Sequence, residues 1–148
     1  MAKGMGCGIM GTEVKATVTL QGGTVLKGKA HTGHEVQIDY IPPFGGDDGI
    51  MPMELLLISL AGCSLHTVLF LLRKMGKSTN KFEVHAVGQR RSEHPTVFTS
   101  IELLYSLKGD DLDAPSVEKA IKLSEETYCP VWAMLKNNVA ITWKYSLS

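Results

Sequence analysis

Between Leu55 and Leu72 the chain carries no formal charge, and this run constrains the fold more than any other feature of the 148 residues. Pro52 stands where a helix can start, because its ring fixes a helical φ and the missing N–H is not needed in a first turn. From Met53 to Lys74 the sequence stays largely apolar, and Gly76 supplies a stop. The expected element is one long helix, apolar nearly all round. Such a helix has to be enclosed on most sides, and the rest of the chain offers only strands and shorter helices for the purpose. A partner subunit is therefore expected to cover what the chain itself leaves bare. The run also reaches the ~18 residues at which a membrane span has to be weighed. Ser59, Gly62, Ser64, His66 and Thr67 within it, the lack of a second such run and strand-like sequence on both sides favour a core helix, so no membrane is expected.

Strand signals flank that helix. From Glu13, the residues Val14, Ala16, Val18 and Leu20 alternate with Lys15, Thr17 and Thr19, and Gln21-Gly22-Gly23 supplies a turn before a strand over Thr24 to Ala30. A third strand, His34 to Tyr40, follows Thr32-Gly33, and the Pro- and Gly-rich stretch from Ile41 to Gly49 then breaks regular structure. Beyond Lys81, strands over Phe82 to Arg91 and Val97 to Leu107 are separated by Ser92-Glu93-His94-Pro95. Asp113-Ala114-Pro115 opens a second helix with Val117, Ala120, Ile121 and Tyr128 as its apolar stripe and Glu118, Lys119, Lys122, Glu125 and Glu126 toward solvent. A short helix after Cys129-Pro130 runs through Leu135, and Val139 to Tyr145 forms a last strand. With 44% apolar residues to build a core, this order predicts an α+β fold in which antiparallel sheets pack around a long central helix. One domain is expected over residues 13–148, behind a Gly- and Met-rich flexible leader over residues 1–12.

Fifteen basic and fifteen acidic side chains cancel, so no general field draws the chain to nucleic acid or to an anionic surface. Three cysteines are an odd number, and Met-Ala-Lys-Gly at the start lacks the basic-then-apolar order of a secretory signal. A disulfide framework is thus not expected, and a cytoplasmic location is. Gly4-x-Gly6-x-Gly8 precedes no strand-to-helix turn, so no cofactor is expected. Cys63-x-x-His66 offers two ligands with no second pair at zinc spacing, so no metal is expected either.

Thiol chemistry is the remaining candidate. Only a thiolate attacks a peroxide or a disulfide, and a helix N-terminus, a cation or a histidine favours that charged form. Cys129, directly before Pro130, would sit at the positive end of a short helix. Cys63 lies mid-helix without that help, where a lone buried cysteine is more often a small core residue. His66, three residues on, shares its helical face and could accept the thiol proton, or could be a packed core or interface histidine. Arg90 and Arg91 end a strand beside a turn. Alternation sends them to opposite faces, so at most one can aim at a site, and both could equally be solvated turn residues. Cys7, in the leader, is assigned no chemistry.

The segment Pro52-Met53-Glu54-Leu55-Leu56-Leu57 running into Ala61-Gly62-Cys63, together with Ser124-Glu125-Glu126-Thr127-Tyr128-Cys129-Pro130, resembles the two signature segments of the OsmC/Ohr family of thiol-dependent peroxidases. Arg90, Arg91, Pro95, Phe98 and Thr99 match a further segment of its OsmC-like branch, and the resemblance covers nearly the whole chain after the leader. It implies an OsmC-like fold, an intertwined homodimer with sites near the subunit interface, a hydroperoxide substrate and a thiol or dithiol reductant. In peroxidase members, the cysteine matching Cys63 attacks the hydroperoxide and becomes a sulfenic acid, and the cysteine matching Cys129 resolves it as a disulfide. Those members also use a Glu directly after the helix-opening Pro and an Arg from the N-terminal strands to activate the first cysteine. Here Met53 stands at the Glu position, Glu54 follows one residue later, and no arginine precedes Arg73. At ~100° per residue, Glu54 lies on the side of an ideal helix opposite Cys63. His66, Arg91 and Glu54 are the candidate substitute activators. The implied function is reduction of organic hydroperoxides through a Cys63–Cys129 disulfide, in oxidative or osmotic stress defence. A thiol-based sensor or small apolar-ligand-binding protein of the same fold is the alternative, and a structural homodimer whose cysteines only pack is a third.

Overall fold

The computed structural model describes residues 13–148; the leader assigned to residues 1–12, with Cys7, lies outside the described residues. Within them the chain forms two compact units, residues 13–56 and residues 57–148.

In the first unit, β1 (Ala16–Gly22), β2 (Val25–Ala30) and β3 (Glu35–Ile38) form an antiparallel meander in that order. The register pairs Ala16 with Ala30 and Leu26 with Ile38. Gly23, at φ 57°, takes the left-handed turn conformation that a side chain would disfavour. After β3 the chain leaves regular structure, as the prolines and glycines dictate, but it is held around one buried carboxylate. Thr24 Oγ1 donates to Asp39 Oδ1 at 2.7 Å, and the N–H groups of Gly46 and Asp48 donate to Oδ2 at 2.9 and 3.2 Å. These bonds, the Thr24 hydroxyl foremost, hold the Asp39 carboxyl down at about 2.

The second unit contains most of α1 (Pro52–Lys74), then β4 (Lys81–Arg90), β5 (Phe98–Lys108), α2 (Ala114–Leu123), a π-helical turn (Ser124–Tyr128), α3 (Pro130–Leu135) and β6 (Ala140–Leu147). Along α1, Leu60, Ser64, Thr67, Val68, Leu71 and Leu72 are buried; their spacing of three and four traces a single stripe. The helix ends where the sequence places a stop: Gly76 at φ 74° closes it, with Lys77 N–H donating to the Leu72 carbonyl and Gly76 N–H to that of Arg73. Phe98, Ile101, Leu103, Tyr105 and Leu107 of β5 are buried in the alternation of a central strand, and Val117, Ala120, Ile121 and Trp132 complete the core from the helices.

The architecture is the expected α+β arrangement of two small sheets and a long helix, and two expectations need correction. Antiparallel pairing does not hold throughout: β4 and β5 are antiparallel, but β6 runs parallel to β5, with Ile101 beside Ile141. The crossover through α2 and α3 is long enough to return the chain to the start of β5, as a parallel pair requires. Tyr128 does not extend the apolar stripe of α2. Ser124 continues the stripe at ordinary spacing, but the wider π turn that it opens rotates the residues after it, so Tyr128 is 40% exposed and Cys129, one residue on, is buried.

Candidate functional site

Cys129 is placed by two helix ends. The π turn after α2 closes with Cys129 N–H donating to the Ser124 carbonyl at 2.9 Å, five residues back. Cys129 then turns extended, and Pro130 opens α3 without needing an N–H partner. As N-cap of that helix, the Cys129 sulfur accepts the Trp132 N–H at 3.5 Å, and the residue is only 2% exposed.

Cys63 is half-buried in the fourth turn of α1, and its carbonyl accepts the Thr67 hydroxyl at 2.9 Å. Neither Cys63 nor Cys129 is in a disulfide. The next residue, Ser64, is fully buried, and its Oγ lies 2.6 Å from Tyr105 Oη and 3.2 Å from Ser124 Oγ. Ser124 is the residue whose carbonyl holds the Cys129 N–H. A buried cluster of three hydroxyls thus joins the turn of α1 that carries Cys63 to the π turn that leads into Cys129. Burial raises the Tyr105 phenol well above its ordinary value; the Ser64 bond opposes this, while negative charge on Cys129 and Glu125 adds to it. Tyr105 is therefore a neutral hydroxyl within electrostatic reach of the Cys129 sulfur.

The other candidates have different surroundings. Glu54, in the first turn of α1, is exposed, and its Oε2 accepts the Met51 N–H at 2.9 Å, which caps the helix start. His66 is exposed, with its ring tilted against Phe70 at 6.3 Å between centroids. Arg91 is exposed and donates from Nε to the Pro95 carbonyl at 2.5 Å, while Arg90 donates to the Thr96 carbonyl at 2.7 Å and to its hydroxyl. Both guanidinium groups close their own hairpin turn. Among the described residues, no group of three or more His, Cys, Asp or Glu is arranged to hold a metal ion.

Ser64, Tyr105 and Ser124 were not among the candidates drawn from the sequence. A signal was present, since a hydroxyl inside an apolar helix has to find a buried partner. Glu118 and Glu125 were also assigned wholly to solvent. Both are half-buried, and they accept Tyr145 Oη at 2.7 Å and Trp143 Nε1 at 2.9 Å from β6.

Comparison with known proteins shows the family and the fold. Residues 45–144 match the family model of OsmC-like proteins. The chain is 34% identical to the Escherichia coli protein YhfA over 134 residues, which cover 90% of this chain and 98% of YhfA. The crystal structure of a hypothetical protein from Aquifex aeolicus superposes with a TM-score of 0.79 at 29% identity, covering 92% of this chain and 98% of that one. An organic hydroperoxide resistance protein from Elizabethkingia anophelis shares the fold at a TM-score of 0.68 and 20% identity, covering 92% and 96%. With the family's segments around Cys63 and Cys129 lying on α1 and on the π turn into α3, the chain belongs to the OsmC-like protein family.

Proposed function

We propose that this protein is a cysteine-based peroxidase that reduces organic hydroperoxides. The observation that carries the reading is the buried link between the two cysteine-bearing turns, with Cys129 capping α3. Its fold is that of a protein named for organic hydroperoxide resistance. In the proposed cycle the Cys63 thiolate attacks the peroxide, the O–O bond breaks, and the alkoxide leaves as an alcohol with a proton, giving a Cys63 sulfenic acid. The Cys129 thiol then displaces its hydroxyl as water and forms the Cys63–Cys129 disulfide. Two equivalents of a thiol, or one dithiol, return both sulfurs to thiols and are themselves oxidised to a disulfide. This cycle suits a cytoplasm supplied with such reductants. The active form is proposed to be a homodimer, which would cover apolar side chains exposed in both units, among them Val18 and Leu20 on β1 and Ile58 and Phe70 on α1.

Hydroperoxide consumption in the presence of a dithiol tests the reading. Cys63→Ser should abolish it, and Cys129→Ser should leave an oxidised Cys63 that is recycled slowly. Unchanged turnover in Cys63→Ser would eliminate the proposal. One observation favours a thiol-based sensor or small apolar-ligand-binding protein instead: Glu54 and Arg91 are engaged in a helix cap and a hairpin turn. That reading expects peroxide consumption no faster than by free cysteine.

A further inference from the structure

We infer that the hydroxyl cluster of Ser64, Tyr105 and Ser124 is a positioning device for thiol–disulfide exchange, fixing the spacing of the two backbone segments that carry Cys63 and Cys129. The inference deepens the proposed peroxidase site and assigns these three residues a part in its second step. Each of the three is at most 1% exposed, and each comes from a different element: α1, β5 and the start of the π turn. Ser64 is the hub, since its single oxygen meets both partners. From Cys63 the path to Cys129 crosses one peptide bond, the Ser64–Ser124 hydroxyl pair and the bond from Ser124 carbonyl to Cys129 N–H.

A buried polar network is a demanding way to fill a core, because every member needs its partner; when satisfied, it fixes geometry more tightly than apolar packing. Disulfide formation needs that tightness. The two α-carbons must come within about 4.4–6.8 Å with the sulfurs aimed at one another, and errors of about 1 Å are costly in such steps. The intervening π turn is the element most in need of restraint, since it holds an extra residue against the usual helical spacing. It is held at one end by Ser124 in the cluster and at the other by Cys129 on Trp132. Tyr105, a neutral phenol, anchors the hub and transfers no proton.

The test uses the full chain in buffers of reduced and oxidised glutathione, with the products counted by alkylation and mass spectrometry. The exchange is balanced: two protein thiols and one oxidised glutathione give the Cys63–Cys129 disulfide and two reduced glutathiones. Its equilibrium constant measures the effective concentration of one cysteine at the other. Tyr105→Phe, which removes one oxygen atom, and Ser124→Ala should each lower that constant about ten-fold. In the Cys129→Ser background, the mixed disulfide between Cys63 and glutathione should form equally well with and without Tyr105→Phe, a readout that a general loss of structure would move. The inference is overturned if both variants keep the wild-type constant, if the mixed disulfide shifts as much as the internal one, or if the wild type forms no internal disulfide. A disulfide dependent on Tyr105 in a protein that does not consume hydroperoxide would leave the inference standing and remove the peroxidase reading.

Discussion

The hydroxyl cluster makes a graded prediction about folding stability in the reduced protein. A net hydrogen bond contributes ~1 kcal/mol, and a buried polar group stripped of its partner costs ~1–3 kcal/mol more. Ser124→Ala removes only the longer bond, at 3.2 Å, and leaves Ser64 paired with Tyr105, so it should cost about 0.5–1 kcal/mol. Tyr105→Phe removes the 2.6 Å bond while Ser64 keeps Ser124, and should cost about 1.5 kcal/mol. Ser64→Ala removes the hub: both bonds go, and a buried phenol loses its partner, for about 3 kcal/mol. The distinctive outcome lies in the double variant. With Ser64 already alanine, Tyr105→Phe removes the stranded hydroxyl and should stabilise by about 1 kcal/mol, opposite in sign to its effect in the wild type. Urea unfolding at constant m-value reads all four. The reasoning is refuted if Ser64→Ala costs no more than Ser124→Ala, or if Tyr105→Phe has the same effect in both backgrounds.

Two further outcomes are expected. At Gly88 an added Cβ would sit 2.6 Å from a ring carbon of buried Phe98 and 3.2 Å from Leu57; Gly88→Ala should therefore destabilise by about 1–3 kcal/mol through overpacking, with Phe98→Leu recovering part of the loss in the same unfolding assay. Asp39 and Asp113 are held at about 2 against an ordinary 3.8, Asp39 chiefly by the Thr24 hydroxyl and Asp113 chiefly by Lys77 at 2.5 Å. Their charged forms are bound more tightly in the folded state, so the stability they contribute is full above about pH 4 and is lost as the pH falls toward 2. Melting temperature followed over that range should fall less steeply in Asp39→Asn and Asp113→Asn, and equal slopes in wild type and variants would count against it.

The sequence was most legible where local chemistry decides the outcome. Pro52 and Gly76 bracket the long helix because a fixed φ and a left-handed stop act within a few residues. The pair Cys129-Pro130 marks the start of α3 for the same reason. Legibility failed where a partner lies far along the chain. Ser64 looks like a lapse in an apolar run until Tyr105, 41 residues on, and Ser124, 60 residues on, are brought to it. The π turn was hidden because periodicity assumes constant winding, and one extra residue per turn moved Tyr128 out and Cys129 in. The direction of β6 was hidden because alternation reads the same in both directions. Glu54 and Arg91 show a further limit: a charged side chain near a motif has nearer partners, a helix N–H in one case and a turn carbonyl in the other.

The parallel seating of β6 has a consequence for biosynthesis. As the ribosome delivers the chain, β4 and β5 can zip together at once, but the other edge of β5 stays open until both helices of the crossover have emerged and the next strand can dock. For that interval an apolar strand offers unsatisfied amides to any passing polypeptide. Nascent-chain folding should be most vulnerable to aggregation just before residue 140 clears the exit tunnel.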